Sequence, residues 1–432
     1  MPNAQRRHFN HKRTAITAAL TCLVSLPAAA TNGMNLEAYG AKAGGMGGAS
    51  FGYDNGNSAL MNNPATLGLR AEGSNLGLGW TLLSPKVNTS MNHPMAGPMN
   101  AKSGGDAYHM PSLSFIRKTG QLTYGVGMLA QGGMGTEYGS NSFLSNGTGL
   151  PMRSEVGFGR LMLPLAYNVN EALTVAGQVD YVWASMDVQM LMPDGSGHVS
   201  FSNSSDFTGR TKGNGWAYKL GAHYKVSDTL SIGGAYHSKT DISDLEGSGT
   251  FTMFPNAMFP QGGQIPTQFK VVDFQWPETF GAGVAWQATP RFMLAADVKR
   301  LQWSSSMKTF RLAMDMGMGF QEGAIPQNWK NQTVFMLGGQ YMLTPNVAVR
   351  AGVNYGKNPV PDNTLNPLFP ATVETHYTFG LGWSSGGGHS VAGSVAIAPK
   401  VTRTNPNMFG PGMAGTVSHS QTTFRVNYNY SF

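Results

Sequence analysis

The sequence predicts an all-β fold, a transmembrane antiparallel β-barrel, and three observations carry that prediction. The first is composition: 12% of residues are charged, 10% are aromatic and glycine fills 57 of 432 positions, a balance that suits a sheet with tight turns and an apolar outer surface. The second is a period-two alternation over long segments. At the end of the chain Phe424, Val426, Tyr428, Tyr430 and Phe432 fall on one face, and Arg425, Asn427, Asn429 and Ser431 on the other. Trp216, Tyr218, Leu220, Ala222 and Tyr224 alternate in the same way with Ala217, Lys219, Gly221 and His223, as a strand with two unlike faces requires. The third is an export-type leader.

The leader comes first along the chain. Residues 1–13 are basic, residues 14–26 are largely apolar, and Pro27-Ala28-Ala29-Ala30 ends in small side chains. These are the three parts of a secretory signal peptide, so residues 1–30 are expected to be removed. The apolar stretch is shorter than the roughly 20 residues that a spanning helix needs. Arg6, Arg7, Lys12 and Arg13 lie in it with no acidic residue, and setting them aside leaves 25 basic against 22 acidic residues. The basic character thus belongs partly to the leader, and no nucleic-acid partner is expected. The single cysteine, Cys22, also lies there, so the mature chain is expected to have no disulfide and no cysteine-ligated metal.

Residues 31–72 do not alternate. The run Gly40-Ala41-Lys42-Ala43-Gly44-Gly45-Met46-Gly47-Gly48-Ala49-Ser50 is small and flexible, and Asn63-Pro64-Ala65 precedes the first strand. A compact plug in the lumen is one reading and a disordered tail another; Walker spacing is lacking for a phosphate loop. From 73 to 432 the pattern gives a barrel of about fourteen strands, an even number as a single-chain barrel prefers. Short turns are expected at 168–171, 227–228, 289–290, 344–346 and 385–388, and long insertions near 84–106, 132–154, 188–214, 243–267, 305–329, 357–372 and 400–420. Trp183, Trp286, Trp303, Trp383 and Tyr430 sit near strand ends, as an interfacial aromatic girdle does. A β-sandwich would also alternate, but strands of around ten residues suit a tilted membrane crossing, and lipid demands a closed sheet. Phe432 resembles the C-terminal signature read by the outer-membrane assembly machinery.

Other function classes fit less well. The Ser, His and Asp residues show no nucleophile-elbow context, so an enzyme is not expected, and no His pair has metal-binding helical spacing. A general diffusion porin predicts an open, charged, trimeric channel, whereas the low charge and the segment 31–72 favour a plugged monomer.

The ordered motifs Thr31-Asn32-Gly33, Gly40-Ala41-Lys42-Ala43, Gly45-Met46-Gly47-Gly48-Ala49, Asn63-Pro64-Ala65, Trp276-Pro277-Glu278, Trp303-Ser304, Trp329-Lys330 and Pro359-Val360-Pro361-Asp362 resemble the FadL family of outer-membrane transporters for long-chain fatty acids and other hydrophobic compounds. The resemblance covers nearly the whole mature chain. It implies an N-terminal hatch containing Gly45, Gly47, Gly48, Asn63, Pro64 and Ala65, and passive transport without any cofactor. It further implies capture of an apolar ligand at outer loops, beside lipopolysaccharide, transfer to a lumen pocket, and lateral release at a kinked strand. Gly125 and Gly127 are the candidate kink, since glycine tolerates a distorted strand.

Candidate ligand contacts are Met190, Met192, Phe251, Phe254, Phe259, Phe310 and Phe320, which add adaptable apolar and aromatic area to probable loops or lumen-proximal stretches among 26 methionines. Where the family would place a cation for a fatty-acid carboxylate, just after the fifth strand, this chain has Met190; Lys308 and Arg311 are the substitutes in reach. The resemblance makes fatty acids the leading expected ligand class, and the missing cation raises uncharged hydrocarbons or aromatics as the alternative.

Overall fold

Alternating sequence becomes alternating faces in the computed structural model, which describes residues 32–205 and 208–432. The expected leader, residues 1–30, lies outside the described residues. The strands are β1 (Gly73–His93), β2 (Gly97–Lys102), β3 (Tyr108–Thr119), β4 (Leu122–Tyr138), β5 (Met152–Asn168), β6 (Leu173–Leu191), β7 (Gly197–Phe201), β8 (Thr211–Lys225), β9 (Leu230–His237), β10 (Asp241–Ile242) and β11 (Leu245–Met253). They continue with β12 (Gly263–Val272), β13 (Thr279–Thr289), β14 (Phe292–Leu301), β15 (Thr309–Asp315), β16 (Gln321–Pro326), β17 (Gln332–Thr344), β18 (Val347–Gly356), β19 (Thr375–Ser384), β20 (His389–Asn405) and β21 (Gly415–Ser431).

Antiparallel pairing runs from β1 through β3, β4, β5, β6, β8, β9, β13, β14, β17, β18, β19, β20 and β21 and returns to β1. The seam is long, from Asn75↔Ser431 to Met91↔Gly415, and Ser74 and Phe432 exchange backbone hydrogen bonds of 2.7 and 2.9 Å beyond it. The sheet as a whole has 21 strands, more than the roughly fourteen expected. The surplus comes from the long insertions, which pair instead of coiling: β2 folds onto β1, β7 onto β6 and β11, and the β11/β12 and β15/β16 hairpins extend the wall upward. β2, β7, β15 and β16 run for only five to seven residues, too few for alternation to separate them from loops.

The outward row is apolar and exposed, as at Leu220, Leu337, Phe379, Leu381, Phe424 and Val426, while Lys219 and Arg425 on the opposite parity are buried. Trp183, Trp286 and Trp383 lie on the outer surface, but Trp303 is fully buried, which corrects its expected place in the girdle. It packs edge-on against Trp276 at 5.7 Å and Trp329 at 5.3 Å inside the wall. Short turns sit at one end, where side chains cap the backbone: the Asn170 side-chain oxygen accepts from the amides of Ala172 and Leu173. Gly388, at φ 83°, lies where a Cβ would come within 2.2 Å of the Ser431 carbonyl, so that turn requires glycine.

Leu337 lies near the middle of β17 and is half exposed. Leu337→Arg is expected to destabilise the barrel by about 2–4 kcal/mol, the cost of a cation on the lipid face near the midplane, measured as a shift in the urea unfolding midpoint in lipid vesicles.

Candidate functional site

A conspicuous break in the wall lies between β3 and β4. Pairing of the two stops at Ser112↔Leu129, yet β4 continues against β5 as far as Tyr138↔Met152. The register of β4 shifts by one residue between Ala130 and Gly132, a β-bulge that bends the strand. Gly132 has φ 148° and a Cβ there would lie 2.5 Å from the Met34 carbonyl, so only glycine fits. Its backbone bridges to Asn35 of the N-terminal segment, and Pro111, on the β3 side, has no N–H to offer a neighbour.

A cavity of about 270 Å³ occupies this break. It is lined from the inner face by Met34, Leu36, Val87, Phe158 and His419, and from the outer face by Met128 and Trp183, which are 45% and 37% exposed. The cavity therefore passes through the wall. Its lining is mostly apolar; its carboxylate is Glu155, paired with Arg153, which also binds Glu137. No lysine or arginine lines it among the described residues. A second, polar cavity of about 330 Å³ lies toward the short turns, bordered by Lys42, Asp54, Arg70 and Arg350.

Residues 32–72 fill the interior between these cavities and are almost entirely buried. Two devices hold them. The first is glycine against glycine. A Cβ on Gly45 would meet Gly380, one on Gly47 would meet the carbonyls of Val353 and Leu337, and one on Gly338 or Gly352 would strike Met46 or Gly47. The glycine run and its barrel counterparts thus let two backbones touch. The helical turn Ala41–Gly44 sits in this stretch. The second device is buried polar grip. Asp297 accepts from the amides of Ser50 and Phe51 at 2.6 and 3.0 Å, and Asn354 donates to the carbonyls of Glu37 and Gly47 at 3.3 and 3.2 Å. Glu37 pairs with Arg425 at 2.7 Å. Asp180 pairs with Arg160 at 2.7 Å and Lys219 at 2.9 Å, and Lys219 and Gln178 both donate to the Leu60 carbonyl.

The expected hatch residues Gly45, Gly47, Gly48, Asn63, Pro64 and Ala65 all fall in this segment. Asn63 caps the 3-10 helix Pro64–Leu69: its side-chain oxygen accepts from the Ala65 amide at 3.1 Å, and its nitrogen donates to the carbonyls of Phe51 and Ala222. Proline at the first helical position is tolerated because that amide would be unpaired anyway. The three Trp motifs, read separately in the sequence, converge: Phe158, Trp276, Trp303 and Trp329 stack edge-on in a chain, and Gly33 approaches Trp303 so closely that a Cβ would lie 2.7 Å from its ring.

Other expected positions fall elsewhere in the structure. The register shift is at Ala130–Gly132 and not at Gly125 or Gly127. Pairing with β5 does skip Gly125 and Val126, between Tyr124↔Leu165 and Gly127↔Met162, where Pro164 lacks an amide proton, but the register is kept. Gly127 makes room for Leu60, 2.3 Å from its would-be Cβ. None of Met190, Met192, Phe251, Phe254, Phe259, Phe310 and Phe320 lines the cavity at the break. Met190, Phe251 and Phe310 are buried in the aromatic core at the loop end, with Met192 packed against it; Phe254 is half-buried. Phe259 and Phe320 are exposed on hairpins above the wall, Phe320 beneath the Lys270 ammonium at 4.6 Å. Hairpin pairing, invisible to local pattern, carries them away. Lys308 is exposed, and Arg311 forms a two-pronged pair with Glu322 at 2.6 and 2.9 Å, which holds that carboxyl below its ordinary value. The residues missed, Arg160, Asp180, Lys219 and Asp297, did carry a signal: a charge on the inward parity of a long strand needs a buried partner. Asp180→Ala would strand Arg160 and Lys219 and is expected to cost about 3–5 kcal/mol, read by loss of heat-resistant migration, with a rise in single-channel conductance as the segment loosens.

Comparison with known proteins agrees with this architecture. The structure superposes on the Pseudomonas putida toluene transporter TodX with a TM-score of 0.81 and 28% identity, covering 92% of this chain and 99% of that one. The Ralstonia pickettii toluene transporter TbuX gives 0.73 and 26%, again covering 92% and 99%. A Pseudomonas aeruginosa FadL homologue, at 0.72 and 17% identity over 93% and 100% of the chains, shares the fold. An uncharacterized Chlorobium limicola protein is 46% identical over 125 residues, a match that spans 28% of this chain and 58% of that relative. The profile of the family described as outer membrane protein transport protein (OMPP1/FadL/TodX) matches residues 21–432, and the chain belongs to that family.

Proposed function

We propose that the protein carries small, uncharged hydrophobic molecules, of the size of single-ring aromatics, passively across the bacterial outer membrane. The observation that carries this reading is the cavity through the wall between β3 and β4, apolar and lined by a carboxylate but by no cation. Transfer of each CH₂ or its equivalent from water into such a space is worth roughly 0.8 kcal/mol, so an apolar molecule needs no energy source to enter. A fatty-acid headgroup would meet Glu155, and Lys308 and Arg311 lie out on the loops; the expectation of fatty acids as the leading ligand therefore gives way to uncharged compounds. The toluene transporters among the structural relatives support the same choice.

In this reading the outer hairpins, with Phe259 and Phe320 exposed, collect ligand from the lipopolysaccharide layer. The cavity receives it, and the break between β3 and β4 releases it sideways into the bilayer. Residues 32–72 act as the hatch that keeps the lumen closed to ions while leaving the lateral path open. The protein works as a monomer without a cofactor, and Phe432, at the seam, serves recognition by the assembly machinery.

A Cβ on Gly157 meets nothing within 4 Å, and Gly157 lines the cavity. Gly157→Leu is expected to fill the space, lower toluene affinity about tenfold or more by isothermal titration, and leave heat-resistant migration intact. Wild-type affinity in that variant, or tighter binding of oleate than of toluene by the unmodified protein, would refute this assignment.

A further inference from the structure

Among the described residues, one buried side-chain nitrogen of the cavity lining has no hydrogen-bond partner. His419 is on the inward face of β21, opposite Val87 of β1, is 6% exposed, and lines the cavity with Val87, Pro370 and Gln421. Its Nδ1 lies 2.9 Å from the Pro370 carbonyl oxygen. A carbonyl can only accept, so Nδ1 carries the proton, and in the neutral ring Nε2 is a bare acceptor. That Nε2 has no hydrogen-bond partner.

The other buried polar side chains of the lining are occupied. Asn35 donates to the Leu36 carbonyl and accepts from the Tyr39 hydroxyl. Ser185 accepts from the Gly209 amide, Gln421 donates to Thr423, and Glu155 is paired with Arg153. An unsatisfied acceptor beside an apolar cavity is costly whenever that cavity holds a purely apolar guest, and the cost disappears if the guest brings a donor.

We infer that His419 makes the cavity selective for apolar molecules bearing one hydroxyl group, phenols and small aryl alcohols, over the parent hydrocarbon and over the corresponding methyl ethers. The ligand hydroxyl donates to Nε2 while the ring lies against Val87, Met110 and Phe158 of the lining. An ether oxygen can only accept, so it sets one lone pair against another and gains nothing. The inference rests on the cavity being the ligand site, as proposed above.

The test compares toluene, 4-methylphenol and 4-methoxytoluene by isothermal titration with the full-length mature protein in one detergent, so that partitioning cancels between variants. The unmodified protein is expected to bind 4-methylphenol about tenfold tighter than 4-methoxytoluene. His419→Leu should bring that ratio close to one and, by removing the bare acceptor, tighten toluene binding, and His419→Gln, whose side-chain oxygen can accept, should restore part of the ratio. With histidine-labelled unmodified protein, the ¹⁵N resonance of His419 Nε2 should move on adding 4-methylphenol and stay put with toluene, a readout that does not depend on any variant folding. If toluene binds and Gly157→Leu abolishes it, but the ratio is unchanged by His419→Leu or the resonance does not move, the hydroxyl selectivity is overturned and the cavity assignment stands. If no toluene binding is sensitive to Gly157→Leu, the cavity assignment itself fails.

Discussion

A bilayer offers no hydrogen bonds, so every backbone amide and carbonyl at its depth must find a partner within the protein. The rest of the structure follows from that constraint. It forces the sheet to close through the long β1–β21 seam, and it makes any interruption of pairing expensive unless other protein atoms cover the freed groups. The break between β3 and β4 survives because it is covered: the bulge at Gly132 turns its backbone inward to Asn35, and Pro111 has no donor to leave bare. An opening through the wall and the N-terminal segment behind it are thus two parts of one solution.

The segment is held by a mixture of contact types that suits something lodged in a lumen. Glycine faces glycine where backbones must touch, which gives close packing without side-chain entropy. Carboxylates and cations on the inward parity of the strands then grip backbone groups of the segment. Asp297 holds the amides of Ser50 and Phe51, and Lys219 holds the Leu60 carbonyl while neutralised by Asp180. Buried ion pairs contribute little net stability but penalise any arrangement that separates them, so they fix where the segment sits more than how strongly it is held.

Chemistry is divided between the two cavities. The polar one, toward the short turns, borders Lys42, Asp54, Arg70 and Arg350; the apolar one passes through the wall. The route proposed above uses the second, because an apolar molecule partitions into apolar space and away from charge. The aromatic stack from Phe158 to Trp329 walls the apolar side at the loop end, where flat rings add area with few rotamers to freeze.

Alternation by itself determined the fold class, the two faces of Phe424–Phe432 and of Trp216–Tyr224, and the short turns at 168–171, 227–228, 289–290, 344–346 and 385–388, because period and turn chemistry are local properties. The motif-bearing glycines and Asn63-Pro64-Ala65 were legible as unlike any strand. Tertiary structure alone decided the rest. Whether Gly125, Gly127 or Gly132 bears the register shift depends on what faces it across two neighbouring strands and inside the lumen. Whether Trp303 meets lipid or Trp276 depends on a strand end turning inward, and whether Met190 or His419 borders the cavity depends on where the β11/β12 and β15/β16 hairpins and the Pro370 loop fold. Each of those outcomes is set by contacts between residues distant in the chain, which no local period encodes.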